Sequence, residues 1–378
     1  MIDPVTTRAE APANAPDRVR TLLDGLGPGP HALVIVFATP QVAPEPLLAA
    51  LAEALPGVPL IGCTTAGEIT RTGYAEGMIV AMAVSARNFA ANVKLIEDLG
   101  HLDSNDVVND LIRRRRELAS AAPDLDNEFA FLLVDGLSTK EDELAATLAP
   151  GLGATPLFGG SAADGDRFLE TRVFHGARAL RNAAVVAVLR TDCPIRVFKF
   201  DHFRPTATRM VVTRADPSRR IVQQINAEPA AQEFARILGK DPAQLTPFTF
   251  AAHPVVVRIG GRHHVRSIRQ VDDNGDLIFF SAIDEGLVLT LAESEDMERH
   301  LRAQFAQLSL PGQPAAILAC DCMLRRTEAE EKQQGGRISS LLAEAGVIGF
   351  STYGEQFNGM HVNQTMTGVA IYPPRGRA

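Results

Sequence analysis

Residues 58–69 read VPLIGCTTAGEI: an apolar run short enough for a buried strand, closed by a polar turn that contains glycine. Two further stretches follow the same plan, TPLFGGSAADGD at 155–166 and GVIGFSTYGEQF at 346–357. Each lies one helix beyond another apolar run: HALVIVFAT at 31–39, FAFLLVDGL at 129–137 and AAILACD at 315–321. The intervening segments place Leu47, Leu48, Leu51 and Leu55, then Leu144, Leu148 and Leu152, then Ile338, Leu341 and Leu342 at helical spacing. Strand, helix, strand is the βαβ unit, and nearly continuous apolar strands indicate a sheet covered on both faces. A threefold repeat of it predicts an α/β protein.

After each turn an apolar segment returns, at 78–85, 183–190 and 361–372, so each unit is expected to be a βαβ with an added hairpin strand in a mixed sheet. The turns at 62–68 and 349–355 align at Gly62 with Gly349, Thr65 with Thr352, Gly67 with Gly354 and Glu68 with Glu355, which predicts matching backbones. Between the second and third units, Pro229 and Gly239 bound a helix, Asn274-Gly275 marks a hairpin turn, and 296–308 is amphipathic. These divisions give two domains, 31–225 and 226–372, with a flexible lead-in over 1–30 and a tail over 373–378.

The 378 residues are 46% apolar and 22% charged, the proportions of a folded chain rather than a disordered one. A net charge of −8 opposes a nucleic-acid binder, which carries a basic face. No window is apolar enough for a membrane span and the first twenty residues lack a signal core, so the expected location is the cytoplasm. Four cysteines are too few for a disulfide framework and read as thiols or ligands.

The motifs GCTTAGEI at 62–69, FGGSAADG at 158–165, INAEPA at 225–230 and GFSTYGEQFNGMHVNQT at 349–365 resemble the FIST family, bacterial sensory proteins built from a FIST N and a FIST C domain. The resemblance spans about 31–372 and implies a ligand-sensing input protein for signalling. A subset, the nitric-oxide-sensing NosP proteins, binds haem and works with histidine kinases. No kinase, cyclase or methyl-accepting segment is attached here, so output is expected through a separate histidine kinase or other signalling protein, with a homodimer among the assemblies open to the chain.

The candidate ligand-binding residues gather at the strand ends: Cys63, Thr64, Thr65, Gly67 and Glu68; Gly159, Gly160, Ser161 and Asp164; Cys320, Cys322 and Arg325; and Ser351, Thr352, Tyr353, Gly354, Glu355 and Asn363. Glu68 and Glu355 hold an amine or cation in a cleft, cap backbone N–H groups in their turns, or do both. The glycine turn at 159–165 presents amides to an anion or simply packs closely; no Walker lysine follows it. Cys320 and Cys322, two apart on a strand, point to one side, where Arg325 and Arg326 would favour thiolate; buried thiols are the alternative. His361 shares a strand face with Asn363, Thr365 and Thr367, either lining a cavity or facing solvent. For haem the expected axial ligands are His361 first and Cys322 second. The run Arg113–Arg116 reads as a solvated helix face of ion pairs. Two other functions are open: a metabolic enzyme with Cys320 or Cys322 as nucleophile and His361 as base, and a partner-binding module without a small ligand.

Overall fold

The protein, described over residues 4–374 in a computed structural model, is a mixed α/β chain of three similar units and one inserted sheet. The first unit comprises β1 (Thr6–Pro12), α1 (Arg18–Leu26), β2 (His31–Ala38), α2 (Pro44–Ala54), β3 (Leu60–Thr64), β4 (Glu68–Thr70), β5 (Gly73–Ala75) and β6 (Met78–Ser85). The second comprises β7 (Phe89–Ile96), α3 (Ser104–Ala121), β8 (Asn127–Val134), α4 (Glu141–Leu152), β9 (Leu157–Ser161), β10 (Val173–His175), β11 (Arg178–Leu180) and β12 (Ala184–Thr191). The third opens with β13 (Ile195–Phe200). It is interrupted by β14 (Phe203–Asp216), β15 (Ile221–Ile225), β16 (Glu228–Pro229), α5 (Ala230–Leu238), α6 (Pro247–Ala252), β17 (Val255–Ile259), β18 (Arg262–Arg266), β19 (Ile268–Val271), β20 (Leu277–Phe279) and β21 (Val288–Ser294). It resumes with α7 (Met297–Leu308), β22 (Ala316–Cys322), α8 (Met323–Glu331), α9 (Gly335–Glu344), β23 (Val347–Thr352), β24 (Glu355–Phe357), β25 (Met360–Val362) and β26 (Met366–Ile371).

Three six-stranded sheets share one strand order: β1-β6-β2-β3-β10-β11, β7-β12-β8-β9-β24-β25 and β13-β26-β22-β23-β4-β5. In each, the βαβ strands are parallel, the return strand is antiparallel to them, and the edge strand is antiparallel to the return strand. The last two strands are supplied by another unit. Hairpin β4–β5 of the first unit joins the third sheet, β24–β25 of the third joins the second, and β10–β11 of the second joins the first. The exchange is cyclic. At equivalent positions the N–H groups of Thr64, Ser161 and Ser351 donate to the carbonyls of Arg172, Gly354 and Gly67, at 2.9, 2.8 and 2.8 Å. The polar turns are therefore where the three units are fastened together.

The inner faces of the three sheets meet in one core, where Phe37 of the first stacks on Phe350 of the third at 4.4 Å and Phe131 on Phe158 of the second at 4.8 Å. Helices α1 and α2, α3 and α4, and α7 and α9 cover the outer faces, one pair to a sheet. Burial on both faces explains the unbroken apolar strands. The inserted strands form a separate sheet, β18-β17-β21-β14-β15-β20-β19 with β16 beside β15, which has its own core under α5 and α6.

Several expectations are corrected. Residues 4–30 are no loose lead-in: β1 pairs with β6 along its length, and Ala9, Ala11, Leu22 and Leu26 are buried. The first three residues of that segment, and 375–378 of the expected tail, lie outside the described residues. The hairpin after each turn serves another sheet before the chain returns. Consequently 361–372 is two strands: Gln364 turns in the left-handed region at φ 50°, leaving His361 in the second sheet and Thr367 in the third. Asn226, near which the division between the two domains is expected, lies in the β15–β16 turn, and β13, ahead of it, pairs with β26. Gly275 takes the expected hairpin turn at φ 81°, and α5 begins after Pro229 and ends at left-handed Gly239. Arg113 and Arg114 both pair with Asp110, as a solvated face requires, but Arg115 reaches inward to Glu128 and Thr155. Among the described residues no helix is long and apolar enough to cross a membrane.

Candidate functional site

The strand ends are built around glycines. Gly62, Gly159 and Gly349 occupy equivalent positions, and a Cβ on them would lie 1.9, 2.2 and 1.8 Å from the carbonyl oxygens of Val36, Leu132 and Ala319 on the parallel neighbour. No side chain fits there. Beyond the glycines, two turns carry the same lock. Thr65 Oγ1 donates to Glu68 Oε1, while Glu68 Oε2 accepts the Met78 N–H at 3.1 Å. Thr352 Oγ1 donates to Glu355 Oε1, while Glu355 Oε2 accepts the Thr365 N–H at 3.1 Å and its hydroxyl at 2.7 Å. The second turn has Ala162 and Gly165 where the others have Thr and Glu. There Asp164 accepts the N–H groups of Phe168, Leu169 and Glu170 at 2.9, 3.0 and 2.9 Å, and Tyr353 donates its hydroxyl to the same carboxylate.

Both glutamates are fully buried, and burial raises Glu68 to about 7 and Glu355 to about 8. They tie each turn to its return strand, so the reading in which they hold an amine in a cleft is corrected to the turn-capping one.

A cleft of about 460 Å³ opens where the first turn, the second turn and α8 meet. Its walls are Thr39–Gln41 after β2, Thr65–Gly67, Glu76, Asp164–Arg167, and Met323, Arg326, Thr327 and Glu330 of α8. All three units contribute, at the carboxyl ends of their parallel strands. Arg326 is its central cation. Its Nε pairs with Glu330 at 2.7 Å and its Nη2 with Glu76 at 2.9 Å, its Nη1 donates to the Ala75 carbonyl at 3.2 Å, and its guanidinium lies 5.5 Å over the Tyr74 ring. The side chain is 12% exposed, whereas Glu76 and Glu330 are 75% and 54% exposed. Such half-solvated pairs are worth about 0–1 kcal/mol, so either carboxylate can give way to a ligand. Gly67 makes this packing possible: a Cβ there would sit 2.0 Å from Arg326 Nη1, and φ is 122°.

Behind Arg326 runs a buried polar chain. Tyr74 donates its hydroxyl to Asp321, which pairs with Arg325 Nε at 2.7 Å. Arg325 Nη1 lies 2.7 Å from His202 Nδ1, and His202 Nε2 lies 2.9 Å from Glu328. A guanidinium only donates, so Nδ1 accepts and the His202 proton sits on Nε2, pointing at Glu328. Burial lowers His202 to about 4, which keeps the ring neutral. Lys332 continues from Glu328 at 2.6 Å to Ser294, at the end of β21, at 2.8 Å. The chain thus connects the wall of the cleft to the inserted sheet.

Of the residues expected at a ligand, Thr65, Gly67 and Asp164 line this cleft, and Thr64 lines the groove that continues from it past Pro40 and Gln41. The others lie inside. Arg325, in the first turn of α8, turns inward to Asp321 near the end of β22, and Arg326 is the arginine in the cleft. Cys63 and Cys320 belong to the central core, Gly160 packs against the Cβ of Cys320, and Cys322 ends β22 just ahead of α8. Burial pushes all three thiols well above their ordinary range, so the expectation of thiolate is corrected. Ser161 accepts from Gln356 Nε2 at 2.9 Å, and Ser351 is buried beside the turn. Asn363 Oδ1 accepts from Ser281 and from the Ser267 N–H at 3.3 Å.

His361 is buried, with Nδ1 accepting from Gln356 Nε2 at 3.1 Å, and burial lowers it to about 4. A Cβ on Gly354 would lie 2.8 Å from His361 Nε2, so backbone occupies the face an axial ligand needs. Haem requires an apolar slot at that nitrogen or at the Cys322 sulfur, and both atoms are enclosed, so the two residues do not fit it as arranged. Among the described residues no group of three His, Cys, Asp or Glu side chains is set to hold a metal ion.

Gln41, Glu76, Arg167 and Glu330 carried no motif that pointed to them, because loops and a helix from different units bring them together. Arg326 alone had a signal, as the outward neighbour of an inward Arg325.

Residues 32–228 match the FIST N domain and residues 230–358 the FIST C domain. No curated protein matches the chain.

Proposed function

Since the chain belongs to the FIST family, whose domains are associated with sensory signalling and small-ligand binding, we propose that it is a cytoplasmic input protein whose ligand occupies the cleft around Arg326. The observation that carries this reading is that all three units wall the cleft, so one bound molecule touches all three. The chemistry favours a small zwitterion. Its carboxylate would replace Glu76 or Glu330 on Arg326, and its ammonium would face the carboxylates so released and Asp166. Occupancy shifts a signal only through different affinity for two states. The chain from Tyr74 to Lys332 supplies an element that a displaced Arg326 would disturb, and the output is read by a separate histidine kinase or other signalling protein. The enclosed His361 and Cys322 give haem no place in this reading.

Calorimetric titration with each of the twenty L-amino acids tests it. At least one should bind saturably to the full chain, and Arg326→Ala should weaken that binding at least tenfold while leaving the fold intact by circular dichroism. Saturable binding that Arg326→Ala leaves unchanged would remove the cleft from the account.

A further inference from the structure

At the seam between the first and third sheets, on the side away from the cleft, Arg8 and Arg71 face a groove of about 400 Å³. The groove floor is apolar: Met82, opposite Arg8 across the β1–β6 pair, and Ile348 of β23 are buried beneath it, with Ala315 and Ala316 beside them. Both guanidiniums are anchored by backbone rather than by acids. Arg71 Nη2 donates to the Arg8 carbonyl at 2.9 Å, and Arg8 Nη1 donates to the Gly346 carbonyl at 3.4 Å. Among the described residues neither has a carboxylate within 4 Å of its guanidinium. Glu10 spends one oxygen on the Arg71 backbone N–H, at 3.0 Å.

Two like charges at one groove repel, and arginine cannot shed its proton to relieve this. Burial and the field of Arg71 both work against the Arg8 charge, and Glu10 offsets them only in part. An anion between them removes the conflict, and each guanidinium keeps unused N–H groups in the planar fork that suits a phosphate or carboxylate.

We propose that this groove is a second ligand site, for a doubly charged anion borne on an apolar body, such as an organic phosphate monoester. The two arginines take the phosphoryl oxygens and the floor of Met82 and Ile348 takes the apolar part. The site is independent of Arg326 and its cleft.

Phenyl phosphate and inorganic phosphate, titrated calorimetrically into the full chain at low ionic strength, test the proposal. Phenyl phosphate should bind saturably and more tightly than inorganic phosphate, because only it uses the floor. Arg71→Ala, at an exposed position that leaves folding undisturbed, and Arg8→Gln should each weaken it at least tenfold, whereas Arg326→Ala should not. Absence of saturable binding, equal affinity for the two phosphates, or loss with Arg326→Ala but not with Arg71→Ala would each overturn it.

Discussion

Glu355 has every oxygen engaged and no exposure, which makes its ionisation a matter of the fold rather than of solvent. Its folded value of about 8 lies above its ordinary 4.5, so the native protein retains a proton that the unfolded chain releases. This contribution to stability is complete below about pH 4.5 and is lost as pH rises through 8. Glu355→Gln, which keeps an acceptor for the Thr365 N–H, should flatten that part of the stability curve in urea melts taken from pH 5 to 9. Glu355→Ala leaves the N–H unpaired and should cost about 1–3 kcal/mol at every pH. Equal slopes for wild type and the Gln variant would show that Glu355 does not titrate in this range. The Thr and Glu positions of the lock were legible in the sequence, as matching spacings at 65–68 and 352–355. Their burial was not, because nothing local tells a capping carboxylate from a ligand-holding one.

At the scale of the element, the parallel strand pairs depend on glycines that admit a neighbouring carbonyl. Gly62→Ala would force a methyl to 1.9 Å from the Val36 oxygen, and the strands must part or β3 must shift. Overpacking of this kind costs about 1–3 kcal/mol, with the upper end expected here because the obstacle is backbone. Gly57→Ala is the control, since that glycine has open space around it and pays only for its φ of 77°. Guanidinium melts of the two variants should rank Gly62→Ala as the more destabilised, and the reverse order would contradict the close-approach argument. The six long strands of the three βαβ units were legible because each is a continuous apolar run. The exchanged hairpins were not, since strands of three residues are too short to show a period of two, and β1, TTRAEAP, has alanines where a strand usually shows larger apolar side chains.

Across the whole molecule, the polar turns of the first and second units lie beside α8 of the third, and it is this juxtaposition that makes one cleft from three units. The repeat was readable and foretold that distinctive residues would gather at strand ends. Which of them border the cleft depends on which unit receives each hairpin, so Thr65, Gly67 and Asp164, themselves buried, line it while Cys63, Cys320 and His361 lie deeper inside. The inserted sheet stands at the far end of the polar chain that starts behind Arg326, an arrangement suited to carrying a change at the cleft to a surface some distance away.

The most direct test of the account is amide hydrogen–deuterium exchange of the full chain with and without a millimolar pool of the twenty L-amino acids. The account predicts slower exchange, in the presence of the pool, in three separate segments at once: 65–67, 164–167 and 323–331. Protection confined to other parts of the chain, or no change in any of the three, would contradict a ligand held jointly by the three units.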